Sequence, residues 1–230
     1  MLARAVATVK VVCINWCNYQ GRGDEYVERL RGMVARHLTI PHEFVVLTEK
    51  ELGTDLKGWW VKMKLAEPGR FSGPVIYLDL DVAVTANIDH LIELAATDKN
   101  RLWMRDDFSY SLLKPRNDLD FEMRRLLGGR GCCNSSVMLW DGDALAPVWE
   151  RWQSRSKQYM AECHGDQNVI SQIMWPDRIG FLPNESVQSY KYGIRMRGEK
   201  PAPIVVFHGN PKMPELPRSD PLRQLWEAAA

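Results

Sequence analysis

A short apolar run over residues 74–84, which carries two carboxylates one residue apart, constrains this chain more than any other feature. The run is rich in β-branched residues and follows Gly73, which predicts a central buried strand rather than a helix. Strand alternation then places Asp79 and Asp81 on the same side at the carboxyl end, where open α/β sheets bind their ligands. Two acids with no basic residue beside them would repel each other. The pattern therefore predicts a divalent metal between them and a phosphate on that metal.

The hydrophobic pattern of the first 48 residues predicts a β-α-β unit, with strands over residues 6–14 and 42–48 and a helix over residues 24–37. Such a unit is typical of a parallel sheet with a right-handed crossover. Periodicity predicts further helices at 88–96, 144–159 and 167–174, a helix or turn at 59–67, and strands at 101–104, 137–140, 181–182 and 204–207. We therefore expect an α/β fold in a single domain over residues 1–230, with a variable insertion at 106–131 and a C-terminal tail at 211–230.

Charge and composition exclude several functional classes. The 30 basic and 29 acidic residues nearly cancel and no basic block stands out, which argues against a nucleic-acid partner. No window approaches the roughly 20 apolar residues of a transmembrane span, so no transmembrane segment is expected. The five cysteines form no C-x-x-C pair, so we expect free thiols and predict a cytoplasmic location.

The first loop of a β-α-β unit commonly faces a phosphate or a base. Here that loop holds Asn15, Asn18 and Tyr19, whose side chains suit hydrogen bonding to a nucleotide base or stacking on it. No G-x-G-x-x-G stretch is present, which disfavours a dinucleotide cofactor. Lys191 lies after a loop expected to flank the same site and is a candidate diphosphate ligand, with an exposed loop lysine as the alternative.

Five short segments, by their order and spacing, resemble glycosyltransferases of the GT-A fold, and among them family 8 of the retaining nucleotide-sugar transferases. The resemblance spans about residues 9–213, and the segments are residues 60–65, 77–81, 133–139, 165–167 and 207–212. It implies a Rossmann-like domain whose mixed, mostly parallel central sheet is flanked by helices. It also implies transfer of a hexose with retention from a nucleotide sugar, expected to be a UDP-sugar, to an acceptor that the sequence does not name.

The same resemblance implies a metal site with phosphate contacts beside it. Asp79 and Asp81 would bind Mn²⁺ or Mg²⁺ with His208 as a third ligand, and this mixed oxygen and nitrogen set suits Mn²⁺ at least as well. Lys212 would neutralise the leaving diphosphate, and Gly209 would let the backbone approach it closely. The spacing from His208 to its glycine and lysine is shorter here than in the family.

The resemblance also implies contacts to the donor. Lys62 would contact donor phosphate and sugar, and Asn134 would contact the sugar. Asp166 and Gln167 would lie beside the anomeric carbon, where a carboxylate or amide stabilises an oxocarbenium-like transition state. For Asp166, capping of the helix that it opens is the structural alternative.

Two other functions stay open at this stage. A phosphoryl or nucleotidyl transferase, or a phosphatase, would use the same D-x-D strand. A non-catalytic nucleotide-sugar binder is suggested by the shortened motif at His208 and by Ser136, which stands where the family has glycine. Most of the nine tryptophans are expected in the core, although aromatic rings also line sugar-binding clefts. Trp59, Trp60 and Trp103 could shape the acceptor side of such a cleft, with core packing the favoured interpretation for each.

Overall fold

The computed structural model describes residues 8–106, 108 and 133–229. Its main sheet has six strands in the order β2-β1-β3-β6-β5-β7. Three of the five pairings, β1 with β2, β1 with β3 and β5 with β7, are parallel, whereas β6 runs antiparallel to both of its neighbours. This confirms the predicted mixed, mostly parallel sheet. The strands are β1 Val9–Ile14, β2 His42–Leu47, β3 Pro74–Leu78, β5 Leu102–Asp106, β6 Cys133–Asp141 and β7 Ile179–Phe181.

A second sheet of three strands has the order β4-β9-β8. It consists of β4 Val82–Val84, β8 Val187–Ser189 and β9 Ile204–Val206. The single strand predicted over residues 74–84 is therefore wrong, because the chain leaves the first sheet after Leu78 and enters the second at Val82. Asp79 and Asp81 lie in the connection between the two sheets, where the Phe207 amide donates to the Asp81 carbonyl at 3.0 Å.

Among the described residues six helices flank the sheets, and the main sheet is buried on both faces. Along β3, Ile76 and Leu78 belong to the core on one side, and Val75 and Tyr77 belong to the core on the other. α1, α3 and α6 pack on the first side, and α4 and α5 pack on the second. The helices are α1 Gly23–His37, α2 Glu49–Leu52, α3 Asp89–Thr97, α4 Ala146–Glu162, α5 Asp166–Met174 and α6 Pro221–Glu227.

Tighter and wider turns replace regular helix in three connections. A 3₁₀ segment over Gly58–Ala66 occupies the stretch predicted as a helix or turn, a π-helical turn spans Tyr190–Arg195, and a short 3₁₀ turn spans Met213–Glu215. The predicted C-terminal tail at 211–230 contains α6, whose Trp226 is buried in the core. Nearly all of the predicted insertion at 106–131 lies outside the described residues.

Within the described ranges, no helix is both long enough and apolar enough to cross a membrane. Cys13, Cys17 and Cys163 are free thiols, as the sequence predicts for them. The cytoplasmic location itself stays a prediction.

Candidate active site

A cavity of about 490 Å³ lies where β1 and β3 end. Six of the predicted site residues line it: Tyr19, Lys62, Asp79, Asp81, Asp166 and Gln167. They come from the loop after β1, the 3₁₀ segment, the connection between the two sheets and the first turn of α5. The predicted crevice at the carboxyl ends of the parallel strands therefore exists, and these side chains meet in it.

Asp79 is fixed on one side of the cavity floor. Its amide donates to the Ser136 carbonyl at 2.9 Å, which ties the end of β3 to β6. Its carboxylate accepts from the Tyr77 hydroxyl at 2.7 Å and from the Lys62 ammonium, whose nitrogen lies 2.8 and 3.0 Å from the two oxygens. Asp79 is thus held by an ion pair and a hydrogen bond at the same time.

Asp81 is fixed by a different pair of donors. Its Oδ2 accepts from the Tyr19 hydroxyl at 3.0 Å and from the Lys212 ammonium at 2.5 Å. Lys212 is only 8% exposed, and its ammonium also donates to the Phe207 carbonyl at 2.7 Å. The sequence argument that no basic residue stands beside these acids is therefore wrong, because Lys62 and Lys212 reach them from 17 and 131 positions away.

Asp166 is the third carboxylate of the cavity, and it is buried. It is the first residue of α5, whose N-cap is Gly165, so the predicted capping alternative is wrong. Its Oδ2 lies 4.0 Å from the Lys62 nitrogen and has no hydrogen-bond donor among the described residues. A buried carboxylate oxygen without a donor is costly, and a hydroxyl or amide donor at this atom would remove that cost.

Burial and the charges of the neighbouring groups shift the pKa values of the cavity residues. Two buried carboxylates, Asp81 and Asp166, and the partly buried carboxylate of Asp79 face two ammonium groups. Burial, followed by the charge of Asp79, raises the pKa of Asp81 above its ordinary value, and burial also raises the pKa of Asp166. Burial alone would lower the pKa of Lys62, but Asp79 and Asp166 outweigh it and raise that pKa. The cavity floor therefore carries one negative charge more than its lysines balance when all five groups are ionised.

The proposed metal ligands do not form a finished site. His208 is directed at Ser189, with its Nε2 2.6 Å from the hydroxyl oxygen, and its ring stacks on Phe108 at 5.2 Å. Among the residues that the structure describes, no three His, Cys, Asp or Glu side chains are arranged to hold a metal. The excess negative charge and the carboxylate oxygens fit a hard divalent cation in their chemistry, but Asp79, Asp81 and His208 do not converge as ligands here.

Asn15 and Asn18, which the sequence predicts to contact a nucleotide base, make hydrogen bonds within the first loop. Asn15 donates to the Asp24 carboxylate at 3.0 Å and accepts from the Tyr19 amide at 3.3 Å. Asn18 has a left-handed backbone with φ of 48°, and its side-chain oxygen accepts from the Gly23 amide at 2.7 Å. Both side chains therefore fix the loop and the start of α1, and they lie outside the cavity lining.

Three further predicted residues also lie outside the lining. The side-chain oxygen of Asn134 accepts from the Ser136 amide at 3.0 Å, which shapes the start of β6. Lys191 is exposed, with its nitrogen 5.1 Å from the centre of the Tyr192 ring. Gly209 is exposed with φ of 75°, a backbone conformation that favours glycine.

The lining also contains residues that the sequence analysis missed. Trp59 was expected in the core, yet 51% of its surface is exposed and it lines the cavity. Trp16 and His164 line it as well. The sequence signal was weak, since tryptophan is usually buried and only the position of Trp59 near Lys62 pointed to the site.

Comparison with known proteins identifies the fold. No protein-family model and no curated protein matches the chain. Solved structures do match: glycosyltransferase GlyE of Streptococcus pneumoniae TIGR4, with 14% identity, a TM-score of 0.65 and 96% of this chain covered. The bifunctional glycosyltransferase WbbM matches with 14% identity and a TM-score of 0.66 over 97% of this chain. The galactosyltransferase LgtC, in complex with donor and acceptor sugar analogs, matches with 16% identity and a TM-score of 0.63 over 96% of this chain.

The matches differ in how much of the other protein they cover. This chain spans 60% of the GlyE chain, 50% of the WbbM chain and 95% of the LgtC chain. The chain therefore has the GT-A fold of these glycosyltransferases, as the sequence resemblance implied.

Proposed function

We propose that the chain is a nucleotide-sugar transferase domain that moves a hexose from a UDP-sugar to an acceptor hydroxyl. The observation that carries this proposal is the donorless Oδ2 of Asp166, buried in the cavity 4.0 Å from an ammonium that is itself paired with Asp79. A sugar offers hydroxyl donors to such an oxygen, and a diphosphate offers negative charge to the nearby lysines.

The lysines would act on the leaving group. When the bond from the anomeric carbon to the diphosphate oxygen breaks, negative charge grows on the nucleoside diphosphate. Preorganised cations in a buried site stabilise that charge with little reorganisation. Lys62 and Lys212 are held in place by Asp79 and Asp81, so both carboxylates act as positioning groups for them.

Asp166 and Gln167 would act on the sugar. An ionised Asp166 accepts a sugar hydroxyl bond and stabilises the positive charge that develops at the anomeric carbon. The acceptor oxygen forms the new bond to that carbon, and its proton passes to the departing diphosphate. We propose attack from the same face, hence retention. An NMR spectrum of the first product with inverted anomeric configuration would contradict this.

We also propose that Mn²⁺ or Mg²⁺ assists transfer, since the excess negative charge of the floor suits a cation. Asp79, Asp81 and His208 do not converge in this structure, so they would have to move together to hold it. When bound, it would supply Lewis-acid stabilisation of the diphosphate. The lysine and Asp166 contacts described above do not depend on the metal.

The proposal is tested by the product that the protein releases. Incubated with UDP-glucose or UDP-galactose and Mn²⁺, the protein is expected to release UDP, by transfer or by slow hydrolysis. Release of inorganic phosphate or pyrophosphate instead would favour the phosphoryl or nucleotidyl transfer alternative. Binding of the UDP-sugar without release of any product would favour the non-catalytic binder.

Two lysine variants form a matched pair for this assay. Lys62→Met removes the buried ammonium beside Asp79 and is expected to lower the rate about 100-fold or more, as loss of a preorganised charge contact does. Lys191→Met removes an exposed ammonium outside the cavity lining and is expected to leave the rate unchanged. Equal effects of the two substitutions would contradict the assignment of Lys62.

A further inference from the structure

Trp59 is one of the few large apolar side chains that the described structure leaves exposed, and it lies at the rim of the cavity. Its neighbour Trp60 shows the ordinary arrangement, stacking on Trp152 at 5.6 Å against the core. Trp59 instead keeps 51% of its surface exposed while lining the cavity. An exposed aromatic ring beside buried polar groups is typical of a ligand-binding surface.

The Trp59 ring is held in place from one side. The His164 ring lies 5.6 Å from it, with 30° between the two planes. A Cβ atom added to Gly165 would come within 3.2 Å of the indole, so the ring lies directly against the Gly165 backbone. Since Gly165 precedes Asp166, the indole is placed next to the carboxylate whose Oδ2 has no hydrogen-bond partner among the described residues.

The cavity thus separates two kinds of surface. Its floor holds buried charged groups, Lys62, Asp79, Asp81 and Asp166, whereas Trp59 and His164 form an exposed aromatic rim. A charged diphosphate belongs with the ammonium of Lys62 in the floor. The aromatic rim suits a ligand with an apolar face, which the second substrate can supply.

We propose that Trp59 is the binding platform for a sugar ring of the acceptor, and hence that the acceptor is a pyranoside glycan. This inference rests on the proposed glycosyltransferase function and adds the substrate class. A pyranose has an apolar C–H face that covers an indole and a rim of hydroxyl groups. Gln167, beside Asp166 in the lining, offers both a donor and an acceptor for such hydroxyls.

The test uses methyl pyranosides as acceptor probes: the methyl β-glycosides of glucose, galactose, N-acetylglucosamine and lactose. Release of UDP from UDP-glucose and UDP-galactose is measured with each probe, and UDP affinity is measured separately by calorimetry. The variants are Trp59→Ala, Trp59→Phe and, as a control, Met196→Ala, which truncates an apolar side chain that is 60% exposed and outside the lining.

We expect at least one pyranoside to accelerate UDP release by the wild-type protein. Trp59→Ala is expected to raise the KM for that probe about tenfold or more, with the UDP Kd changed by less than about twofold. Trp59→Phe retains a flat ring and is expected to keep most of the affinity, and Met196→Ala is expected to match wild type.

Three results would overturn the inference. An unchanged KM for the pyranoside in Trp59→Ala would show that Trp59 does not bind the acceptor. A loss of UDP affinity as large as the loss of acceptor affinity would assign the ring to the nucleotide base. If the protein hydrolyses the UDP-sugar but no pyranoside accelerates UDP release, the acceptor is not a pyranoside, although the donor site is functional. Failure of the proposed function is distinct, since the wild-type protein would then neither bind UDP nor release it.

Discussion

Lys212 and Asp81 form a buried ion pair whose two side chains are 10% and 12% exposed. Removing one charge of such a pair leaves the other buried without compensation, which costs about 3–5 kcal/mol. Asp81→Asn therefore should not be a silent active-site substitution. We expect it to lower the free energy of unfolding by that order, as measured by urea denaturation.

A second substitution separates the fold from the site. In Asp81→Asn/Lys212→Met the stranded ammonium is gone, so most of the lost stability should return while UDP affinity stays low. Glu227→Gln removes the partner of Arg223 in an exposed ion pair and should leave stability unchanged. If Asp81→Asn is as stable as wild type, Lys212 does not depend on Asp81 as described.

Asp166 differs from Asp81 in what happens to its cation, and the opposite effect on stability is expected. Lys62 keeps its ion pair with Asp79 when Asp166 is neutral, whereas Lys212 loses the carboxylate of Asp81 when that residue is replaced. Burial raises its pKa, so the folded protein holds this proton more tightly than the unfolded chain does. The stability from this group is present below the unfolded pKa and is lost as pH rises through the folded pKa. At pH 7 the ionised carboxylate thus costs stability, and Asp166→Asn should raise Tm, by about 2–4 °C for each kcal/mol recovered.

Melting curves at several pH values test this, alongside the transfer rate. The Tm advantage of Asp166→Asn should shrink as pH falls toward the ordinary aspartate pKa of about 3.9, because the wild-type carboxyl is then protonated. Transfer should fall about 100-fold or more, since the amide lacks the negative charge. A lower Tm at pH 7 would show that the ionised carboxylate stabilises the fold.

At the scale of elements, the C-terminal helix is connected to the cavity through α1. Trp226 of α6 packs on Tyr26 of α1 at 5.7 Å, and Tyr26 meets Tyr19 edge-on at 5.2 Å. The Tyr19 hydroxyl then donates to Asp81. Arg29 donates to the carbonyl of Glu227 in the last turn of α6. These contacts make α6 a support for the wall of the cavity.

A substitution at Gly32 of α1 tests the contact between α1 and the C-terminal residues, because that contact decides whether the substitution raises or lowers stability. In an ordinary helix, Gly→Ala stabilises by about 0.5–1 kcal/mol. Here a Cβ would lie 1.6 Å from the Ala229 carbonyl oxygen, so Gly32→Ala should instead displace the C-terminal residues. We expect faster amide hydrogen exchange in α6 and lower stability.

Ala35→Gly supplies the control for that experiment, since Ala35 is an exposed residue of the same helix. It should cost about 0.5–1 kcal/mol through helix propensity alone, without faster exchange in α6. Stabilisation by Gly32→Ala would contradict the close contact between α1 and the C-terminal residues.

At the scale of the whole molecule, the sequence predicted the layers better than the connections. Apolar periodicity found β1, α1 and β2, because each buries one face or both faces against neighbours. The break between β3 and β4 carries no such signal, because Leu80 inside the connection is buried like a strand residue. Only the pairing partners of β3 and β4 separate the two strands.

The candidate site was predictable where single short segments carry its residues, but the pairing between distant segments was not. Asp79, Asp81, Asp166 and Gln167 were found from motifs, and all four line the cavity. The pairing of Lys212 with Asp81 joins residues 131 positions apart, so no local pattern reports it. Asn15 and Asn18 were assigned to a base from their loop position. Short polar side chains near a helix start often bond nearby backbone instead, as both residues do here.

The central claim is that the cavity binds a nucleoside diphosphate. The most direct measurement is the thermal midpoint of the purified protein with UDP, GDP and CDP, each with Mn²⁺ or with a chelator, and again for Lys62→Met. We predict a rise with UDP and Mn²⁺ that is lost in Lys62→Met. At 100 times the Kd the ligand stabilises by about 2.7 kcal/mol, a shift of about 5–10 °C for a protein of this size. A UDP shift that persists in chelator would contradict only the metal requirement, whereas no shift with any nucleotide in either condition would contradict the account.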